Sequence, residues 1–161
     1  MEDGGRLLEE ASALWPRSRI IERSGIELLA NCHYKLTCKG AAIQLVGVGD
    51  LWAGDLDAAK AFHGSDPQCP TIALSHNPDT KDLLAAYYWD LMLSGHTHGG
   101  LVVVRKVDWS PAPVWDRRYV SGLKPWQGRS IHVSRKVGSA LGVRSEVSLL
   151  RLLPGGSGNG V

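Results

Sequence analysis

Apolar positions along the chain fall into short runs between turn residues, and their period changes from helical to strand-like and back. Leu7, Leu8, Ala11, Leu14 and Trp15 recur at helical spacing, which predicts a helix over residues 6–15 with Asp3 as candidate cap and Pro16 as its stop. A further turn or two through Ile20, Ile21 and Glu22 ends at Ser24-Gly25. Residues 26–30, 34–38 and 42–48 then read as three strands separated by turn residues, and 56–62 as a helix. Between the last two, Asp50-Leu-Trp52-Ala-Gly54 is a loop at a strand's carboxyl end. It either approaches a cleft or forms a plain turn with Trp52 packed beneath it.

After Pro70 comes a strand over 71–74. Asn77 then caps a helix that Pro78 begins; Asp79 favours its positive end, and 81–88 continue it with Leu83, Leu84 and Tyr87 facing inward. Residues 90–93 form the next strand. The stretch 107–126, rich in Trp, Pro and Arg, reads as a long loop with a short strand near Tyr119, a place where specificity can reside. Residues 130–134 alternate as a strand, with His132 on the face of Ser130 and Ser134 and a structural role favoured for it. Residues 146–153 read as the final strand, and 154–161 as a disordered tail with nothing to bury.

Composition narrows the function classes. The 161 residues carry 18 basic and 16 acidic side chains, scattered rather than clustered, for a net charge of +2. No basic stripe marks a nucleic-acid surface, so no specific nucleic-acid binding is indicated. The local group Arg117, Arg118, Lys124, Arg129, Arg135 and Lys136 is either a solvated face or a greeting for an anionic substrate. Cys32, Cys38 and Cys69 are odd in number and lack Cys-x-x-Cys spacing, which indicates bystander thiols. No apolar run is long enough to span a bilayer and no signal peptide opens the chain; the expected location is cytoplasmic or membrane-peripheral.

The candidate chemistry lies in two turns, each following a short apolar run. Ser75-His76-Asn77-Pro78-Asp79 is the first, and Gly95-His96-Thr97-His98-Gly99-Gly100 the second. Imidazole is a ligand for Zn, Fe, Mn, Ni or Cu, and two His one residue apart in a glycine-flanked loop project toward neighbouring points without having to share an ion. Gly95, Gly99 and Gly100 are expected to supply backbone angles that a side chain would oppose. Asp90 is read either as orienting a loop or ligand or as a capping or solvent-facing carboxylate, and Thr97 as pointing away from its neighbours. His33 and His63 read as solvated loop residues.

These two turns, with Leu45-Val-Gly-Val-Gly-Asp50-Leu-Trp52 upstream and Val133-Ser-Arg135 and Glu146-Val-Ser-Leu-Leu downstream, resemble the carboxy-terminal half of the calcineurin-like metallophosphoesterases, closest to the YaeI-like phosphodiesterase branch. The resemblance implies an α/β fold, a partial two-sheet αββα sandwich, with residues 1–153 as the carboxy-terminal part of the domain. It implies two divalent metal ions (Mn, Fe or Zn), at most partly occupied in this chain: His76 and His96 on the second metal, His98 on the first. It further implies cleavage of phosphate esters by metal-activated hydroxide, on a phosphodiester or nucleotide-sugar-lipid substrate. Arg135 is the candidate for the substrate's phosphate; no residue is assigned as catalytic.

The family's amino-terminal ligand motifs, Asp-x-His, Gly-Asp-x-x-Asp and Gly-Asn-His, are absent from the sequence. Gly49-Asp50-Leu-Trp-Ala53 fails the second because Ala53 holds the last place, and Asp50 is not assigned as a bridging ligand. The sequence is therefore expected to be incomplete as an enzyme, from a truncated gene, an internal start or a fragment. The alternative is a catalytically inactive metal-binding or partner-binding fragment or paralogue; a third reading is a histidine cluster with no metal, held by packing and hydrogen bonds. Leu101 in place of the family's Gln and Lys136 in place of a glycine are departures in the flanking loops.

Overall fold

The computed structural model describes residues 25–38, 40–99, 102–104, 107–109, 114–135 and 145–153. The expected amino-terminal helices, Gly100, Leu101, Lys136 and the tail lie outside the described residues. Ten elements follow in chain order: β1 (Cys32–Cys38), β2 (Ala41–Gly47), α1 (Ala58–Phe62), β3 (Thr71–Leu74), α2 (Thr80–Leu83), β4 (Leu91–Ser94), β5 (Val102–Val104), β6 (Val107–Trp109), β7 (Gly122–Trp126) and β8 (Arg129–Val133). Six strands form one mixed sheet in the order β1-β2-β3-β4-β8-β7, and β5 and β6 pair separately. The fold is α/β, as the alternation of strand and helix patterns predicts.

Strands β2, β3, β4 and β8 run parallel through the middle of the sheet, while β1 and β7 flank them antiparallel. The register aligns Val46, Ala73, Met92 and Ile131 across four strands. All four are 0% exposed. This face is closed by Ala61 and Phe62 of α1, Leu84 after α2, and the stacked rings of Trp89 and Trp126, whose centroids are 5.3 Å apart. Burying a large apolar side chain here contributes about 1.5–3 kcal/mol each.

The opposite face is more open. Leu45, Ile72, Leu74 and Leu93 on it are only half-buried. Two extended segments cross it. A Cβ on Gly47 would collide with the backbone of Leu29, so residues 26–29 press against β2; Ser148 and Leu150 border the same face farther on. Both segments were expected as strands from their apolar pattern, and neither is one: residues 26–29 and 145–153 carry no strand pairing. The reason is visible in their side chains, since Leu28, Val147 and Leu149 are 57%, 95% and 96% exposed. A β pattern fits a half-buried pleated surface, and without a partner strand on that surface no ladder forms.

Two other expectations change. The helix expected to run on to Tyr88 ends at Leu83 and gives way to turns. Leu84 is fully buried but Leu83 is 51% exposed, because the short helix turns only one of them to the core. The loop expected over 107–126 contains β6 and β7, and the strand falls at Gly122–Trp126 rather than at Tyr119.

Candidate metal centre

His76 and His96 are delivered by adjacent parallel strands. Residue 75 ends β3's run, and its N–H donates to Leu93 O at 3.1 Å; one step on, Gly95 N–H donates to His76 O at 3.0 Å. Parallel strands sit about 4.8 Å apart, so side chains leaving their carboxyl ends face each other without further arrangement. The result is a direct contact: His96 Nδ1 lies 3.4 Å from His76 Nε2, the donor depending on the tautomers. The rings meet edge to face with centroids 5.1 Å apart.

His98 is exposed, and among the described residues no hydrogen bond or ring contact holds it. Among the described residues no three His, Cys, Asp or Glu side chains stand close enough together to hold a metal ion. The structure therefore brings together two of the three expected histidines and leaves the third at the rim.

The second turn takes the expected backbone angle at Gly99 but also at two histidines where the sequence did not put it. Positive φ occurs at His96 (66°) and His98 (53°), besides Gly99 (70°), and not at Gly95. Each non-glycine residue in that region costs roughly 1–2 kcal/mol, so neighbouring contacts must hold the turn in shape. Thr97 lies between the two histidines, is 0% exposed, and donates from Oγ1 to Val120 O at 2.6 Å.

The loop after β2 approaches the pair, as the first reading has it, and it is a tight turn, but Trp52 is 50% exposed and stands against His96 instead of packing beneath the turn. Asp50 Oδ1 accepts the N–H groups of Trp52 and Ala53 at 2.8 and 2.9 Å. Trp52 stands edge-on to His96 with centroids 4.7 Å apart. The Ala53 N–H holds the Asp50 carboxyl below its ordinary range; burial is the next influence and opposes it, and the Trp52 N–H and nearby His76 and His96 add smaller pulls downward.

Arg135 reaches the second turn. A Cβ on Gly99 would come within 2.6 Å of its Cγ, so the arginine stem lies across that glycine, while Nε pairs with Glu146 at 3.3 Å. Two other cations of the basic group, Arg118 and Arg129, have structural partners. Arg118 makes a two-pronged contact with Asp116 at 2.9 and 2.7 Å, and Arg129 stacks over Trp89 at 4.7 Å. Asp90 proves to be a loop-orienting residue away from the histidines: Oδ2 accepts Thr71 N–H and Oδ1 accepts the Tyr88 hydroxyl, both at 2.8 Å.

A cleft of about 520 Å³ opens beside His76, bordered by Ser75, Ser94, Gly95, His132 and Ser134. His132 is 7% exposed. Ser94 has no sequence signal that marks it as a cleft residue, and His132 only the alternation of its strand. His33 and His63 border a separate hollow near Cys32. Cys32 and Cys69 are free thiols. Among the described residues no helix is long and apolar enough to cross a membrane.

Histidines at the ends of adjacent parallel strands, in an α/β sheet and in the sequence context described above, place the chain in a family: it belongs to the calcineurin-like metallophosphoesterases. Within that family it is similar to the phosphodiesterase YaeI of Escherichia coli, at 41% identity over 137 residues, which is 83% of this chain and 50% of the relative. It is 31% identical over 148 residues to the UDP-2,3-diacylglucosamine pyrophosphatase LpxG of Chlamydia trachomatis, covering 80% of this chain and 44% of that one. An uncharacterized metallophosphoesterase of Bacillus subtilis, YkuE, is 28% identical over 120 residues, 74% of this chain and 42% of the relative. The chain spans about half the length of the curated relatives it matches. No family model and no solved structure matches it.

Proposed function

We propose that this protein serves a metal-dependent phosphodiesterase site in which His76 and His96 share one divalent cation and His98 belongs to a second. The observation that carries the reading is the 3.4 Å separation of the two imidazole nitrogens. Two nitrogens bound to one tetrahedral cation at about 2.0–2.1 Å lie about 3.3–3.4 Å apart, so the pair fits a shared ion with little rearrangement. A bound cation pair supplies Lewis acidity, lowering the pKa of a coordinated water and stabilising the leaving oxygen.

The chain's own residues do the positioning. Gly95 N–H, bonded to His76 O, keeps the two histidine turns in register. Trp52 packs against His96 and limits its ring orientation. Arg135, its stem over Gly99, is placed to exchange Glu146 for a phosphate oxygen of the substrate. The similarity to a phosphodiesterase at 41% identity and to a nucleotide-sugar-lipid pyrophosphatase at 31% supports a doubly substituted phosphate as substrate.

A second reading, metal binding without turnover, is favoured by one observation: among the described residues no third donor joins the histidine pair. Metal analysis of the purified protein, combined with hydrolysis of a bis-aryl phosphate, separates the two. We expect Mn, Fe or Zn to bind in a manner that His76→Ala and His96→Ala each abolish, with slow turnover at most by residues 1–161. Absence of metal binding at any concentration tested would end both readings. Fast hydrolysis abolished by His96→Ala would show that other side chains complete the site.

A further inference from the structure

The turn holding His96 and His98 and the turn holding His76 are fastened to opposite ends of one short backbone segment. At one end Thr97, 0% exposed, donates its hydroxyl to Val120 O at 2.6 Å. At the other, Asp79, 1% exposed and three residues beyond His76, accepts the N–H groups of Trp115 and Asp116 at 2.7 and 3.2 Å. Asp79 is itself fixed to the histidine turn, since its N–H donates to Asn77 Oδ1 at 2.9 Å. Between these ends the segment is stiff. Tyr119 N–H donates to Asp116 O at 3.1 Å, and the Tyr119 ring is buried with Lys81 Nζ 5.1 Å above it.

We propose that residues 115–120 form a strut that locks the two histidine turns in register, with Thr97 and Asp79 as the positioning residues at its ends. Gly95 N–H to His76 O joins the turns at the sheet, and the strut joins them again on the far side. Two attachments fix an orientation where one fixes only a distance. This is how His96 and His98 are kept at φ 66° and 53° against their local preference. The meaning of the strut for a metal rests on the reading above; its existence does not.

The test therefore uses the protein without metal first. Thr97→Val removes the hydroxyl at nearly constant volume, and Thr97→Ser restores it. Asp79→Asn weakens the opposite end while leaving every atom of the second turn in place. With the imidazole resonances assigned by NMR, Thr97→Val and Asp79→Asn should both displace or broaden His96 and His98 and leave His33 and His63 unmoved. Thr97→Ser should return the wild-type pattern. Unmoved His96 and His98 signals in Thr97→Val, a Thr97→Ser spectrum like that of Thr97→Val, or an Asp79→Asn effect that never reaches residues 96 and 98 would each overturn the strut. If Mn or Zn binds the wild type, its affinity should fall about 10–100-fold in Thr97→Val and recover in Thr97→Ser. Wild type that binds no metal while showing the expected resonance pattern would sink the metal reading and leave the strut standing.

Discussion

Lys81 is the most exacting residue in the fold. Its side chain is 2% exposed, with Nζ 2.9 Å from Asp82, 3.7 Å from Asp116 and 3.8 Å from Asp79. Lys81→Met keeps the stem and removes the charge, which leaves Asp79, 1% exposed, with two backbone N–H donors and, among the described residues, no other cation in ion-pair contact. Removing one partner of a buried pair costs about 3–5 kcal/mol. Two features favour the low end: the N–H donors continue to hold the carboxylate, and the contacts to Asp79 and Asp116 are longer than a hydrogen bond. Asp82 is 59% exposed, and its contact adds little. The expected loss is about 3 kcal/mol, or a fall in Tm of roughly 6–12 °C for a domain of this size. Urea unfolding followed by tryptophan fluorescence measures it, because Trp89 and Trp126 are stacked in the core. Adding Asp79→Asn to Lys81→Met removes the stranded charge and should recover part of the loss. A Lys81→Met protein within about 1 kcal/mol of wild type, or a double variant as weak as the two single losses summed, would refute the electrostatic account.

Three further outcomes follow from the described contacts. Gly47→Ala places a Cβ against the backbone of Leu29; residues 26–29 should lift from the sheet at a cost of about 1–3 kcal/mol, read as new protease cleavage there, and an unchanged digestion pattern would count against the packing described. Gly99→Ala must hold φ 70° and meet Arg135 Cγ, so amide exchange at residues 97–99 should quicken with a local cost of about 1–2 kcal/mol; exchange as slow as wild type would contradict it. Asp50 is held below its ordinary pKa chiefly by Ala53 N–H, and Asp116 chiefly by Arg118. A depressed carboxylate stabilises the fold fully above its unfolded pKa of about 4 and loses that contribution as pH falls through the lower folded value. The turns at 50–53 and 116–118 should therefore loosen below about pH 4, visible in the exchange of Trp52 and Arg118 amides; tighter protection on acidification from neutral would reverse the sign.

The central parallel strands were legible in the sequence because each is a brief apolar run stopped by a turn residue: residues 71–74 match β3, and 90–93 match β4 within one residue. Residues 26–30 and 146–153 show why pattern alone is insufficient. Their alternation describes a preference, whereas a strand also needs a neighbour, and among the described residues exposed Val147 and Leu149 pair with none. The meeting of His76 and His96 is implied by the family resemblance, and the short apolar runs before each turn agree with it. The support beneath them could not be anticipated, since Asp79 meets Trp115 across 36 positions and Thr97 meets Val120 across 23. Asp79 also shows a local rule being overridden: helix-dipole reasoning points its carboxylate at α2, and the structure uses it to accept two N–H groups of a distant loop.

The length of the nineteen-residue connection between His76 and His96 does not set how far apart the rings stand. That gap is a lattice constant of the sheet, the spacing of neighbouring strands β3 and β4, and the intervening chain only has to return from one strand to the next. Its outermost stretch, Ala85 and Ala86, lies at the surface. Extra residues spliced in there, or a permuted polypeptide with its ends at that point, should leave the imidazole contact unaltered. Sequence divergence around Ala85 and Ala86, unlike divergence at Asp79 or Lys81, is thus a poor guide to divergence in chemistry.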